Sequence, residues 1–153
     1  MSDSNHLSAS LEDYLETIFH IIAEKQVARA KEISQRLNVS RSSVTEAFRA
    51  LAKKELINYA PYEVITFTPK GRKLAKEIVR RHQALKDFFI KILMVDEEIA
   101  EAGACRVEHA APQEIIDRLI TFVNFIEDSP ELGEDYMVKF RDYYSTRQNK
   151  KKY

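Results

Sequence analysis

The chain has a single cysteine, no leader-like start and no long apolar run, and each of these shortages excludes a class of protein. A lone thiol cannot form an intramolecular disulfide, so a reducing cytoplasm is the expected setting. Residues 1–10 lack the basic start and apolar core of a secretion signal, and no segment reaches the ~20 apolar residues that span a bilayer. Internal repeats and low-complexity tracts are also missing. The expectation is a cytoplasmic protein with no membrane partner. Its 153 residues, 44% hydrophobic and 31% charged, suit one compact domain or two small ones.

Net charge is the last thing the chain lacks, and here the total conceals a partition. Between Lys25 and His82 there are fourteen Lys or Arg against five Glu and no Asp, an excess of nine positive charges; ten basic and nineteen acidic residues lie outside that window. Segregation on this scale predicts that the middle of the chain meets a polyanion, while the acidic flanks suit cations.

The apolar spacing supplies the elements. Ser8 or Ser10 caps a helix from Leu11 to about Glu24, with Leu11, Leu15, Ile18 and Ile22 as its core stripe and Asp13 and Glu16 on the other side. A short helix at residues 30–37, a turn at Asn38-Val39-Ser40 and a second helix at 41–54 form a helix-turn-helix, with Ser40 as cap. The exposed start of the second helix offers Ser40, Arg41, Ser42, Ser43, Thr45, Glu46 and Arg49, a set able to bond phosphates and base edges, and Arg29 adds a further basic contact. Runs at 56–60 and 64–68, joined around Pro61-Tyr62-Glu63, read as a β-hairpin. A hairpin directly behind a recognition-type helix is a wing, and the basic setting predicts double-stranded operator DNA as partner.

Thr68-Pro69 opens a long linking helix to about Met94, carrying Leu74, Ile78, Leu85, Phe88 and Ile92 inward and His82 at the stripe's margin. Asp96 caps the next helix, which breaks at Ala111-Pro112. The helix after it, to about Glu127, presents Ile115, Ile116, Leu119, Ile120, Phe122, Val123 and Ile126 over more than half its circumference. Such a helix needs two covers, and the second is expected to be another copy of the chain, making a two-fold homodimer. A tail helix with Tyr136, Met137, Phe140 and Tyr144 on one side follows, and Lys150-Lys151-Lys152 is expected to fray.

Cys105, Glu108 and His109 stand three and four residues apart and point from one side of their helix. Thiolate, carboxylate and imidazole together suit Fe2+, Mn2+, Co2+ or Zn2+ better than Mg2+ or Ca2+. The same residues also describe a polar helix end with one structural thiol. Asp13 and Glu16 fit a solvated pair at a helix N-terminus equally well, His82 a core histidine, and His20 lies one turn beyond Glu16. The paired Glu-x-x-His motifs of di-iron bundles and any nucleophile-base constellation are missing, so neither an enzyme nor a small-molecule substrate is expected.

Leu11-Glu-Asp-Tyr-Leu-Glu-Thr-Ile, Val39-Ser-Arg-Ser-Ser-Val-Thr, Thr68-Pro-Lys-Gly-Arg, Arg81-His82 and Cys105-Arg-Val-Glu-His together resemble the DtxR/MntR family of metal-dependent repressors, in register from about Leu11 to Ile126. The resemblance implies a mainly α protein. A winged helix-turn-helix DNA-binding domain would occupy residues 1–75, an all-helical dimerisation and metal-binding domain residues 76–128, and a tail helix residues 129–153. It places Asp13, Glu16, His82, Cys105, Glu108 and His109 on metal-ligand positions and leaves His20 off them. Asp13, Glu16 and the chain's length look like the manganese branch, without room for the SH3-like domain of the iron branch, whereas Cys105 looks like the iron branch. Lys86 and Glu101 replace residues that complete an ancillary site there. Thiolate is the softer ligand, so the expected activator is Fe2+, with Mn2+ close behind, in a repressor of metal-uptake genes. The alternatives are a metal-independent winged-helix regulator with a structural Cys105, and a metalloenzyme with a carboxylate and histidine site.

Overall fold

The computed structural model describes residues 7–60 and 64–150, the side chains of residues 149 and 150 excepted. The turn expected at Pro61-Tyr62-Glu63 and residues 151 and 152 of the lysine tail lie outside what is described, whereas the backbone of Lys150 is helical. The elements run α1 (Ala9–Lys25), α2 (Ala30–Leu37), α3 (Arg41–Lys53), β1 (Ile57–Asn58), β2 (Thr66–Phe67), α4 (Pro69–Asp87), a π-helical segment (Phe88–Ile92), α5 (Glu97–Ala110), α6 (Gln113–Glu127) and α7 (Pro130–Lys150). Two compact units divide between Arg80 and Arg81. Helix α4 runs through that division, giving Ala75 and Ile78 to one core and Leu85 to the other.

In the first unit α1 starts on Ser8, whose side chain accepts from the Leu11 amide at 3.3 Å, and ends where Gln26 turns left-handed. The residues it buries are Tyr14, Leu15, Ile18 and Ile21, with Leu11 and Ile22 only partly covered. The inward face is thus rotated from the expected stripe. Apolar spacing sets the period of a helix but fixes its azimuth only to within about one position. The covered arc extends to Glu12, which is 7% exposed, and Asp13 and Glu16 are half-buried rather than solvated.

Helices α2 and α3 meet across a tight turn. Asn38 adopts the left-handed region at φ 52°, the Val39 amide donates to Ser34 O at 3.1 Å, and the Ser34 hydroxyl donates to Val39 O at 2.7 Å. Asparagine is among the residues that best tolerate this conformation. Ile33, Val44, Phe48 and Leu51 are fully buried at the junction. The hairpin is shorter than expected: Ile57 pairs with Phe67 and Asn58 with Thr66, and an isolated bridge from Ile65 to Ala28 fastens its second strand to the segment before α2. Alternation holds in what remains, because Ile57, Ile65 and Phe67 face the core while Asn58, Val64 and Thr66 are exposed.

Thr68 and Pro69 open α4 as their chemistry predicts: the Thr68 hydroxyl accepts from the Gly71 amide at 3.0 Å and donates to Glu55 O at 2.7 Å. Gly71 lies so close to the chain at Leu56 that a Cβ there would sit 1.7 Å from Leu56 O.

The second unit has a much smaller core: Leu85, Ala104 and Ile116 are fully buried, with Phe89, Val107, Ala111, Leu119 and Ile120 packed around them. The linking helix does not run to Met94 as an α-helix. It widens into a π segment after Asp87, where Leu93 N bonds Phe88 O at 3.2 Å, and closes where Met94 turns to φ 54°. The wider turn accommodates two successive aromatics, with Phe88 reaching Phe122 at 6.3 Å between ring centres while Phe89 joins the core. On α6 only Ile116 and Val123 are buried; Ile115 and Phe125 are more than half exposed. Helix α7 is 21 residues long, with Tyr136 stacked on Phe140 at 5.9 Å. No described helix is long and apolar enough to cross a membrane.

Candidate metal centre and nucleic-acid interface

The start of α3 carries, in an ordered array, the residues expected to contact nucleic acid. Ser40 caps the helix, its Oγ accepting from the Ser43 amide at 3.1 Å and lying 2.8 Å from the hydroxyls of both Ser42 and Ser43. The Thr45 hydroxyl donates back to Arg41 O at 3.0 Å, which leaves its methyl group and the exposed Arg41, Ser42, Glu46 and Arg49 along the outer face. Arg29 is exposed at the head of α2. Burial, and then the Glu46 carboxylate, hold the Tyr14 phenol above its usual range, so Glu46 makes itself felt within its own unit at α1 as well as on the outer face.

Of the expected metal ligands, Asp13 and Glu16 stand on α1 in the first unit, and Glu16 lies 3.7 Å from His20. The other four belong to the second unit, where α4 and α5 bring three of them together. Glu108 is fully buried, with Oε2 at 3.2 Å from His82 Nδ1 and Oε1 at 3.3 Å from His109 Nε2. Among the described residues neither Glu108 oxygen has a hydrogen-bond partner, despite these approaches. Cys105 is exposed on α5, one turn before Glu108.

This arrangement fits a cation. A buried carboxylate without hydrogen bonds costs several kcal/mol, and a divalent ion among nitrogen and oxygen donors removes that cost. An apolar side chain would suit a merely structural position better.

A second set of contacts lies behind His82, made by Lys86 and Glu101, the two residues that replace those completing the ancillary site of the iron branch. Its Nε2 is 2.9 Å from Glu101 Oε1, and Lys86 Nζ is 3.0 Å from both Glu101 Oε2 and Glu97 Oε1. Hydrogen bonds that Lys86 donates to Glu101 and then to Glu97 hold its ammonium above the usual range. Burial works to raise the Glu101 carboxyl, but Lys86 and His82 together outweigh it and keep it below the usual carboxylate range. The resemblance groups Lys86 and Glu101 at one site, but their hydrogen bonds to each other and to His82 have no signal in the spacing.

A winged helix-turn-helix joined to a helical unit with a buried carboxylate and imidazole cluster defines the class of metal-responsive transcriptional regulators. Comparison with known proteins agrees. Residues 6–65 match the model of the iron dependent repressor N-terminal DNA binding domain, and residues 68–136 match that of the iron dependent repressor metal binding and dimerisation domain. The chain is 40% identical over 122 residues to the HTH-type transcriptional regulator MntR of Bacillus pumilus, covering 80% of this chain and 84% of that one. It is 38% identical over 123 residues to an HTH-type transcriptional regulator of Methanocaldococcus jannaschii, covering 80% and 98%.

Among solved structures it is similar to T. acidophilum IdeR, with TM-score 0.65, 26% identity, and 81% and 55% of the two chains covered. It is also similar to a manganese-dependent transcriptional repressor in complex with manganese, with TM-score 0.66, 28% identity, and 75% and 53% covered. The chain spans about half the length of these two solved chains. It belongs to the DtxR/MntR family of metal-dependent transcriptional repressors, a family of regulators and not of enzymes.

Proposed function

We propose that the chain acts as a homodimer that grips operator DNA when it holds Fe2+, or in second place Mn2+, and thereby represses metal-uptake genes. The observation that carries the reading is Glu108: a fully buried carboxylate, bare of hydrogen bonds among the described residues, facing two imidazoles. Asp13, Glu16, His82, Cys105, Glu108 and His109 are the proposed ligands. A bound divalent cation supplies the charge that offsets the acidic ligands. The chain's own residues would do the rest: Glu108 and His109 on α5 and His82 on α4 would hold the cation, and Cys105 would add the soft donor that favours Fe2+.

Asp13 and Glu16 belong to the unit that carries the recognition helix. Cation binding by ligands on that unit would link metal and DNA binding in one equilibrium, with a coupling typically of ~1 to 3 kcal/mol that acts equally in both directions. Ser40, Arg41, Ser42, Ser43, Thr45, Glu46, Arg49 and Arg29 form the proposed DNA contact, with Arg side chains on phosphate or guanine and the hydroxyls on phosphate.

The test is anaerobic titration with Fe2+ and with Mn2+, followed by operator footprinting. Protection by the wild-type protein should require metal, and Glu108→Ala should lose that protection while remaining a dimer in light scattering. Footprints indifferent to metal would leave a metal-independent winged-helix regulator in its place.

A further inference from the structure

The pair formed by His82 and Glu101 carries more than an ion pair's usual weight. A carboxylate only accepts hydrogen bonds, and of the two carboxylates at the ring Glu101 is the nearer, 2.9 Å from Nε2 against 3.2 Å from Glu108 to Nδ1, which favours the proton on Nε2. In a neutral ring the lone pair then falls on Nδ1, the nitrogen that faces Glu108 at 3.2 Å. Lys86 takes the other Glu101 oxygen at 3.0 Å and is itself held by Glu97, which directs Oε1 at the ring.

We infer that Glu101, steered by Lys86, is a positioning residue that fixes the His82 tautomer and so readies Nδ1 to bind metal. This rests on the metal-binding reading above. Side chains that set the tautomer and ring direction of a metal-binding histidine typically change metal affinity by about 10- to 100-fold when removed. An ion pair present only for stability would set the same tautomer, but its removal would leave metal affinity unchanged.

The experiment uses the full chain, labelled with 15N and free of metal, at mildly alkaline pH. Long-range proton-nitrogen correlation reads the His82 tautomer, with His109 as internal control, and titration with Mn2+ and, without oxygen, with Fe2+ reads affinity. Wild-type His82 should be in the Nε2-protonated form. Glu101→Ala should show mixed tautomers at His82 alone and bind both ions about 10- to 100-fold more weakly. Glu101→Gln, whose amide oxygen still accepts from Nε2, should recover most of both, and Lys86→Met should fall between. Glu101 is 52% exposed, so these variants are expected to fold, which circular dichroism checks. An unchanged tautomer and unchanged affinity in Glu101→Ala would overturn the positioning role while leaving metal binding intact. A wild-type protein that bound neither ion would overturn the metal reading, and the clamp's purpose with it.

Discussion

Cys105 and Glu108 share one helix but occupy different surroundings, the thiol exposed and the carboxylate fully enclosed. That contrast separates two duties at the proposed centre. The buried carboxylate would account for affinity, because leaving it without a cation is costly, while the accessible sulfur would account for choice among cations. Cys105→Glu should therefore move the ratio of Fe2+ to Mn2+ dissociation constants toward Mn2+ by about tenfold, or about 1.4 kcal/mol. Paired anaerobic titrations measure the ratio, and an unchanged value would remove sulfur from the account of selectivity. The candidates at this scale were legible from spacing, since Glu108 and His109 follow Cys105 by three and four residues. Their burial was not. Nor was the link from His82 through Glu101 to Lys86, because it joins positions on two helices whose mutual rotation no local pattern encodes.

At the scale of elements, caps and turn residues were the dependable signals. Ser8, Ser40, Asn38 and the Thr68-Pro69 pair each mark a boundary where their chemistry predicts one. The rotated face of α1 and the π segment at Phe88–Ile92 escaped notice for a common reason. Both depend on how neighbouring side chains pack, and apolar spacing is the same for an α-helix and for one that widens locally. Gly71 is the element-level position with least tolerance. A methyl group there would collide with the backbone oxygen of Leu56, and neither α4 nor the strand can yield without breaking the hairpin's seat. Gly71→Ala is expected to destabilise the first unit by ~3 kcal/mol, at the upper end of overpacking effects. Urea denaturation followed by far-ultraviolet circular dichroism checks it, and a midpoint equal to that of the wild type would show that the close approach is not needed.

For the whole molecule the decisive feature is the apolar surface left on α6. Ile115, Phe122 and Phe125 are exposed beside a core of three fully buried side chains, more apolar surface than a solitary helix ordinarily leaves in water. A second copy packed there in two-fold fashion would cover it and would set two recognition helices for major grooves about 34 Å apart. Light scattering at micromolar concentration should give the mass of two protomers, and Phe125→Asp should shift it toward one. A wild-type protein with the mass of one protomer would remove the basis for two-fold operator recognition.

The slightness of that second core also bears on how the proposed regulator would answer to its own abundance. A half held together by so few interior side chains would gain much of its cohesion on pairing, so folding of that half and assembly would become a single bimolecular event. Promoter occupancy would then climb with the square of protomer number when copies are scarce, and a modest fall in synthesis would release the regulated genes even with the ion plentiful.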